Sequence, residues 1–173
     1  MTEASERVKR MVRVDQAGEY GAVRIYAGQL AVMGDRGPFG AKIREMEAQE
    51  VDHRAWFNQL IVERGGRPTL MQPIWHVAGF ALGAATALIG PKAAMACTAA
   101  IETEIDLHYT QQLEELGEED PELADKIARA RDDEREHRET ALANGAEQAP
   151  AYPLLAGAIR LGCRLAIRLS ERI

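Results

Sequence analysis

The most constraining feature of the sequence is an apolar helical stripe that contains a glutamate and a histidine. Residues 42–60 read KIREMEAQEVDHRAWFNQL, and inward positions recur there in steps of three and four. That spacing places them on one face of a helix. The stripe is Ile43, Met46, Glu50, His53, Phe57 and Leu60. Since core positions are normally apolar, Glu50 and His53 need a chemical reason to lie inside.

Three further helical stretches also carry carboxylates at inward positions. A second Glu-x-x-His pair occurs at Glu134 and His137, and single glutamates occupy mid-stripe positions at Glu19 and Glu102. The order along the chain is therefore Glu, Glu-x-x-His, Glu, Glu-x-x-His. The separation from each single glutamate to the next pair is 31 residues in the first half and 32 in the second. This similarity in register indicates an internal repeat of helix pairs.

Four carboxylates in one core would be strongly destabilising unless cations balanced them. Two divalent ions would neutralise the four charges, and two neutral imidazoles would complete the ligands. This is the ligand set of di-iron and di-manganese carboxylate bundles. Oxygen and imidazole ligands without thiolate favour iron or manganese over a structural zinc ion. The predicted metal ligands are Glu19, Glu50, His53, Glu102, Glu134 and His137.

Other polar residues near the stripes are candidates for supporting roles. Tyr26 and Tyr109 each follow a single glutamate by seven residues, a position more typical of core aromatics than of redox groups. His108 lies off the stripe, and we predict that His108 and Tyr109 are catalytic or pocket residues close to the metals. Asp133 directly precedes a predicted ligand and is a candidate to orient a histidine of the other pair.

Two residues near these candidates are predicted to lie elsewhere. Glu104 points about 200° around the helix from Glu102, so we expect a surface charge. His76 lies on an apolar segment, where an interfacial position is more typical than a metal ligand.

Helical periodicity together with weak strand signals predicts an all-α fold, a four-helix bundle in one domain spanning residues 1–173. Proline and glycine mark several helix boundaries. The predicted helices run from about Asp15 to Gly34, Phe39 to Arg64, Pro91 to Leu116, and Pro121 to Asn144.

Two apolar segments, at about 70–90 and 153–173, are not needed for a plain bundle. Residues 74–90 carry no formal charge but are shorter than the roughly 20 residues that span a bilayer core. The last segment carries Arg160, Arg164, Arg168 and Arg172 at every fourth position beside an apolar face. That pattern is typical of a helix lying on an anionic membrane. A helix docked on the bundle with its arginines in water is an equally good interpretation.

Charge and cysteine content exclude some functions. The net charge of −6 and the isoelectric point near 5.3 argue against nucleic acid as a partner. Cys97 and Cys163 are far apart and match no metal or redox spacing, so we expect reduced thiols. The start of the chain resembles neither a secretory signal nor a transit peptide, which fits a bacterial protein or a processed organellar chain.

Long motifs along the chain resemble the demethoxyubiquinone hydroxylases of ubiquinone biosynthesis. They are RVDQAGEYGAVRIYAGQ at 13–29, QEVDH at 49–53, GFALGAATALIGPKAAMACTAAIE at 79–102, DDEREH at 132–137 and CRLAIRLSERI at 163–173. The family's six iron ligands fall on the six residues that helical register selects. The resemblance implies a ferritin-like bundle with two Fe ions per chain that hydroxylates a demethoxyquinone ring with O₂, with NADH as electron donor.

The resemblance also implies a location and partners. We expect a peripheral membrane protein on the cytoplasmic face of a bacterial inner membrane, or on the matrix face of the mitochondrial inner membrane for a processed organellar chain. The implied partners are a polyprenyl quinone, the membrane surface and a lipid-binding accessory protein of ubiquinone biosynthesis. Two alternatives stay open: a ferritin-like iron-oxidising or storage protein, and a helical interaction module without metal.

Overall fold

The computed structural model describes residues 4–173, and in this range the chain is helical with no strand. This confirms the predicted all-α, ferritin-like class. A 3₁₀ turn at Ala146–Gln148 precedes the last helix. The α-helices are α1 (Glu6–Met33), α2 (Pro38–Glu63), α3 (Gln72–Ile89), α4 (Pro91–Leu116), α5 (Pro121–Ala143) and α6 (Tyr152–Arg172).

Helices α1, α2, α4 and α5 form the four-helix bundle, with α1 against α2 and α4 against α5. Their inward stripes are buried as the periodicity predicts. On α2 the buried apolar side chains are Ile43, Met46, Phe57, Leu60 and Ile61, and on α5 they are Leu123, Ile127, Ala130 and Ala141. The glutamates and histidines of the same stripes therefore lie within the bundle core.

Helix α1 begins nine residues before its predicted start at Asp15. Ser5 is the N-cap, and its hydroxyl accepts a hydrogen bond from the Val8 backbone N–H at 3.2 Å. Val8 and Val12 are buried and continue the apolar stripe toward the N-terminus. The predicted start at Asp15 was wrong because Ser5 caps the helix earlier in the chain. Asp15 instead lies inside the helix and is only 1% exposed.

Helix α3 packs along α1 with direct contact between the two backbones. A Cβ atom added at Gly28 of α1 would lie 2.2 Å from the Phe80 carbonyl oxygen, and one added at Gly83 of α3 would lie 1.9 Å from the Ile25 carbonyl oxygen. Only glycine permits this approach at both positions. Helix α3 is thus positioned against α1 by close backbone packing at these glycines as well as by hydrophobic burial.

Helix α6 packs on α4 and α1 and is anchored by ion pairs to Glu104. The Nε atoms of Arg160 and Arg164 donate to its two carboxylate oxygens at 2.5 and 2.9 Å. Burial raises the pKa of Glu104, but the hydrogen bonds from these arginines outweigh it and leave the pKa below its usual value. Glu104 is 5% exposed, so the surface prediction was wrong. It does point away from the bundle core, but α6 covers that face.

Large apolar side chains of α3 and α6 face outward. They are Ile74, Val77, Leu88 and Ile89 on α3, and Leu154, Leu161 and Leu165 on α6, each more than half exposed. Among the described residues, α3 alone is long and apolar enough to cross a membrane, with a mean hydropathy of 1.2 over 18 residues.

Candidate metal centre

All six predicted ligands are buried and lie together in the middle of the bundle. Their potential ligand atoms form two groups of four, and within each group all the atoms lie within 4.8 Å of one another. The first group is Glu19, Glu50, His53 and Glu134, and the second is Glu50, Glu102, Glu134 and His137. Since Glu50 and Glu134 belong to both groups, two neighbouring ions could share them as ligands.

The two single glutamates are each held by the tyrosine from the other half of the repeat. The Tyr26 hydroxyl donates to Glu102 at 2.6 Å, and the Tyr109 hydroxyl donates to Glu19. Both tyrosines are buried, as core aromatics would be. The crossed pairing was not predicted, because the sequence shows each tyrosine only beside the glutamate of its own helix.

The two histidines point their Nδ1 atoms into the cluster. His53 Nδ1 lies 3.5 Å from Glu19 and 3.4 Å from Glu134. His137 Nδ1 lies 3.1 Å from both Glu50 and Glu134. Each imidazole therefore presents a ring nitrogen toward the carboxylates, where a metal would bind.

The opposite ring nitrogens lie close to residues that directly precede Glu50 and Glu134. His53 Nε2 lies 2.9 Å from a carboxylate oxygen of Asp133, in line with the orienting role that the sequence suggested. His137 Nε2 lies 2.6 Å from the amide oxygen of Gln49. Gln49 was missed, although its position before Glu50 matches that of Asp133 before Glu134 and could have identified it.

The donor atoms left over in this cluster fit metal ions. Among the described residues, several buried polar atoms of the predicted ligands have no hydrogen-bond partner. They are Glu19 Oε2, both carboxylate oxygens of Glu50, His53 Nδ1, Glu102 Oε2 and Glu134 Oε1. Unpaired buried acceptors are costly and rare. In this cluster the unpaired atoms are carboxylate oxygens and an imidazole nitrogen that point toward one another. A hard or borderline divalent cation binds to such atoms.

In the metal-free chain, the pKa values of several residues in the cluster are raised, which favours their protonated forms. Burial, then repulsion from Glu134, raises the pKa of Glu50 well above its usual value, and the same two causes act on Glu102. Burial lowers the pKa of His53, but the nearby carboxylates of Glu134 and Glu19 outweigh it and raise the pKa to about 11. The metal-free chain therefore keeps a protonated imidazole among the carboxylates.

Metal loading should release protons. Metal ligands bind in their deprotonated forms, and the pKa values of His53, Glu50 and Glu102 are all raised in the metal-free chain. At a pH of about 7 we expect metal binding to release protons, and we expect binding to weaken as the pH falls. Titration with Fe²⁺ under anaerobic conditions in weak buffer measures this release. Metal binding without proton release would contradict the assigned ligands.

An apolar cavity of about 570 Å³ adjoins the cluster. It lies between α1, α3, α4 and α6, and Ile25, Leu82, Ile105 and Ile159 form part of its wall. Tyr109 also lines it, and the same tyrosine donates a hydrogen bond to Glu19. A molecule in the cavity would therefore be one side chain away from the predicted ligands.

His108 and Asp15 add polar groups to the wall of this cavity. His108 Nε2 lies 3.5 Å from an Asp15 carboxylate oxygen. Burial raises the pKa of Asp15 to about 6. The predicted pocket residue His108 thus lies at the cavity, whereas His76, predicted to be interfacial, is exposed and lies 2.6 Å from the Tyr20 hydroxyl.

Comparison with known proteins identifies the family. The family model of the ubiquinone biosynthesis protein COQ7 matches residues 6–170. The chain belongs to this family. It is 57% identical over 166 residues to the 3-demethoxyubiquinol 3-hydroxylase of Rhodospirillum rubrum, covering 96% of this chain and 78% of that protein.

Eukaryotic members of the COQ7 family are also similar over most of their length. The human NADPH-dependent 3-demethoxyubiquinone 3-hydroxylase, a mitochondrial protein, is 53% identical over 170 residues, covering 96% of this chain and 78% of that protein. The mitochondrial 5-demethoxyubiquinone hydroxylase of Saccharomyces cerevisiae is 42% identical over 180 residues, with coverage of 95% and 77%. The family resemblance of the motifs is thereby confirmed.

Proposed function

We propose that this chain is a monooxygenase of ubiquinone biosynthesis that hydroxylates the ring of a demethoxyubiquinone-type quinone. The observation that carries the proposal is the proximity of two features. One is the cluster of six predicted ligands, and the other is an apolar cavity lined in part by Tyr109, which donates a hydrogen bond to Glu19. The names of its COQ7 relatives supply the same reaction class. All six helices contribute, since the ligands come from four of them and the cavity wall includes the other two.

The proposed reaction has a simple balance. One oxygen atom of O₂ enters a ring C–H bond to give C–OH, and the other leaves as water with two electrons and two protons. Two Fe ions, held by Glu19, Glu50, His53, Glu102, Glu134 and His137, would supply the activation of O₂.

The chain's own residues supply position and protection from water. The cavity wall binds the quinone ring and the start of its tail, and its apolar lining keeps bulk water away from the cluster. Tyr109 holds Glu19 in place from the cavity side. His108, held near Asp15, is placed to hydrogen-bond a quinone oxygen, and we propose these roles for the two predicted residues.

Electrons would come from a reduced nicotinamide. The family resemblance implied NADH, whereas the names of the human and other animal relatives specify NADPH for those proteins. Assays with each nucleotide in turn, at equal concentration, identify the donor that this chain uses.

The exposed apolar faces of α3 and α6 support a membrane-associated role. A quinone with a polyprenyl tail resides in the bilayer, so an enzyme that binds it gains from resting on the membrane surface. We propose a peripheral position, on the cytoplasmic face of a bacterial inner membrane or the corresponding matrix face in mitochondria. A lipid-binding accessory protein would bind the same exposed faces.

A product assay tests the function. The iron-loaded protein is given ¹⁸O₂, a reduced nicotinamide and a short-tailed demethoxyquinone, and products are examined by mass spectrometry. We expect a product heavier by one labelled oxygen. Oxidation of many ferrous ions per chain into a mineral, with the quinone unchanged, would instead establish the ferritin-like storage alternative.

A further inference from the structure

We infer that the two metal positions are unequal, and that Asp133 makes the position at Glu19 and His53 the tighter one. The inference rests on the metal site of the proposed function, but it does not depend on the quinone reaction. It follows from a difference between the two halves at the residue that contacts Nε2 of each histidine.

Most of the cluster repeats faithfully between the halves. Each position has one single glutamate, Glu19 or Glu102, and each of these accepts a hydrogen bond from a buried tyrosine. Each has one histidine that points Nδ1 inward, and both share Glu50 and Glu134. Differences in affinity must therefore arise mainly outside these atoms.

The two halves differ at the residue that contacts Nε2 of each histidine. His53 Nε2 is held by the carboxylate of Asp133, and His137 Nε2 is held by the neutral amide oxygen of Gln49. The two residues occupy the same place in the motif, directly before Glu134 and Glu50. The chain therefore reads D-E-x-x-H in one half and Q-E-x-x-H in the other.

This difference changes the imidazole as a ligand. A carboxylate that accepts the Nε2 proton draws it outward and raises electron density at Nδ1, so the nitrogen binds a cation more strongly. The charge of Asp133 also attracts the cation directly, whereas the Gln49 amide offers only a dipole. Asp133 is 36% exposed, so water screens part of its charge. We expect a difference in metal affinity of about tenfold, the lower end of effects from such partners.

Single-position variants allow each site to be measured alone. Two ions a few ångströms apart repel each other, so sequential binding in the wild type would not by itself prove unequal sites. His137→Ala keeps the whole first group, Glu19, Glu50, His53 and Glu134, and removes the imidazole of the second. His53→Ala keeps the whole second group, Glu50, Glu102, Glu134 and His137, and removes the imidazole of the first. Binding of Mn²⁺ to each metal-free variant is followed by electron paramagnetic resonance of the free ion.

We expect His137→Ala to bind one Mn²⁺ about tenfold more tightly than His53→Ala does. Adding Asp133→Asn to His137→Ala should weaken binding to the level of His53→Ala. Adding Gln49→Glu to His53→Ala should strengthen binding by a similar factor. Both changes preserve side-chain size, so a lost or gained effect reports the charge rather than the packing.

Three results would overturn the inference. One is equal affinity in the two single-position variants. Another is no response to Asp133→Asn in the His137→Ala background. A wild-type chain that binds no Mn²⁺ at all would refute the metal site itself and the proposed function with it, whereas the first two results leave that function standing.

Discussion

Replacing Glu50 with glutamine is expected to abolish hydroxylation while leaving the fold intact. Glu50 belongs to both groups of ligand atoms, so its loss affects both metal positions at once. Because the ligands act as one unit, turnover should fall by about 10³-fold or more. The metal-free variant should be as stable as the wild type or more stable, since burial and repulsion from Glu134 already disfavour the Glu50 carboxylate.

Three measurements check this expectation: turnover, iron content, and thermal melting with and without iron. Iron should raise the melting temperature of the wild type more than that of Glu50→Gln. A bound ion stabilises the folded state in proportion to how tightly it binds, and the variant should bind iron more weakly. Glu45→Gln, an exposed position on the same helix, is the matched control and should behave as wild type. Near-normal iron content and activity in Glu50→Gln would contradict the assigned ligands.

Filling the apolar cavity is expected to block the reaction without disturbing the metal. Gly162 of α6 lines the cavity, and a Cβ atom added there meets no atom within 4 Å. A phenylalanine at this position can therefore project into the space proposed for the quinone. We expect Gly162→Phe to lower kcat/KM by at least about tenfold, because a displaced substrate loses its alignment with the reacting centre.

Gly157 provides the matched control on the same helix. A Cβ atom added there also meets nothing within 4 Å, but Gly157 is not among the described residues that line the cavity. Gly157→Phe should leave kcat/KM unchanged, and both variants should bind iron as the wild type does. Equal activity of the two variants would exclude this cavity as the quinone site.

The sequence predicted the bundle and the cluster because both follow from helical periodicity. Glu50 and His53 could be placed inside α2 by counting in steps of three and four, and the same held for Glu134 and His137 on α5. Once four carboxylates share a core, their charge must be balanced by metal ions or by protons. The ends of α2, α4 and α5 were also close to the prediction because proline and glycine mark them.

The contacts between helices could not be predicted in the same way. Which tyrosine donates to which glutamate, and which residue holds His137, depend on the relative rotation and height of separate helices. Glu104 shows the same limit. Its direction around α4 was correct, but its burial depends on α6, whose docking through Arg160 and Arg164 no local pattern reveals.

Those ion pairs also limit how the C-terminal arginines can meet a membrane. Arg160 and Arg164 are engaged with a buried carboxylate, so replacing them would loosen α6 as well as remove positive charge. An exposed arginine such as Arg168 is the cleaner position for testing lipid attraction alone.

The size of the cavity proposed for the quinone limits what the chain could distinguish in its substrate. A space of about 570 Å³ lies in the range that holds a drug-sized molecule, enough for a quinone ring and the first part of its side chain. Later isoprene units would remain outside the cavity, where its side chains could not contact them or select for tail length. One such enzyme could therefore serve organisms or organelles whose quinones differ in chain length, with selectivity confined to the pattern of groups around the ring.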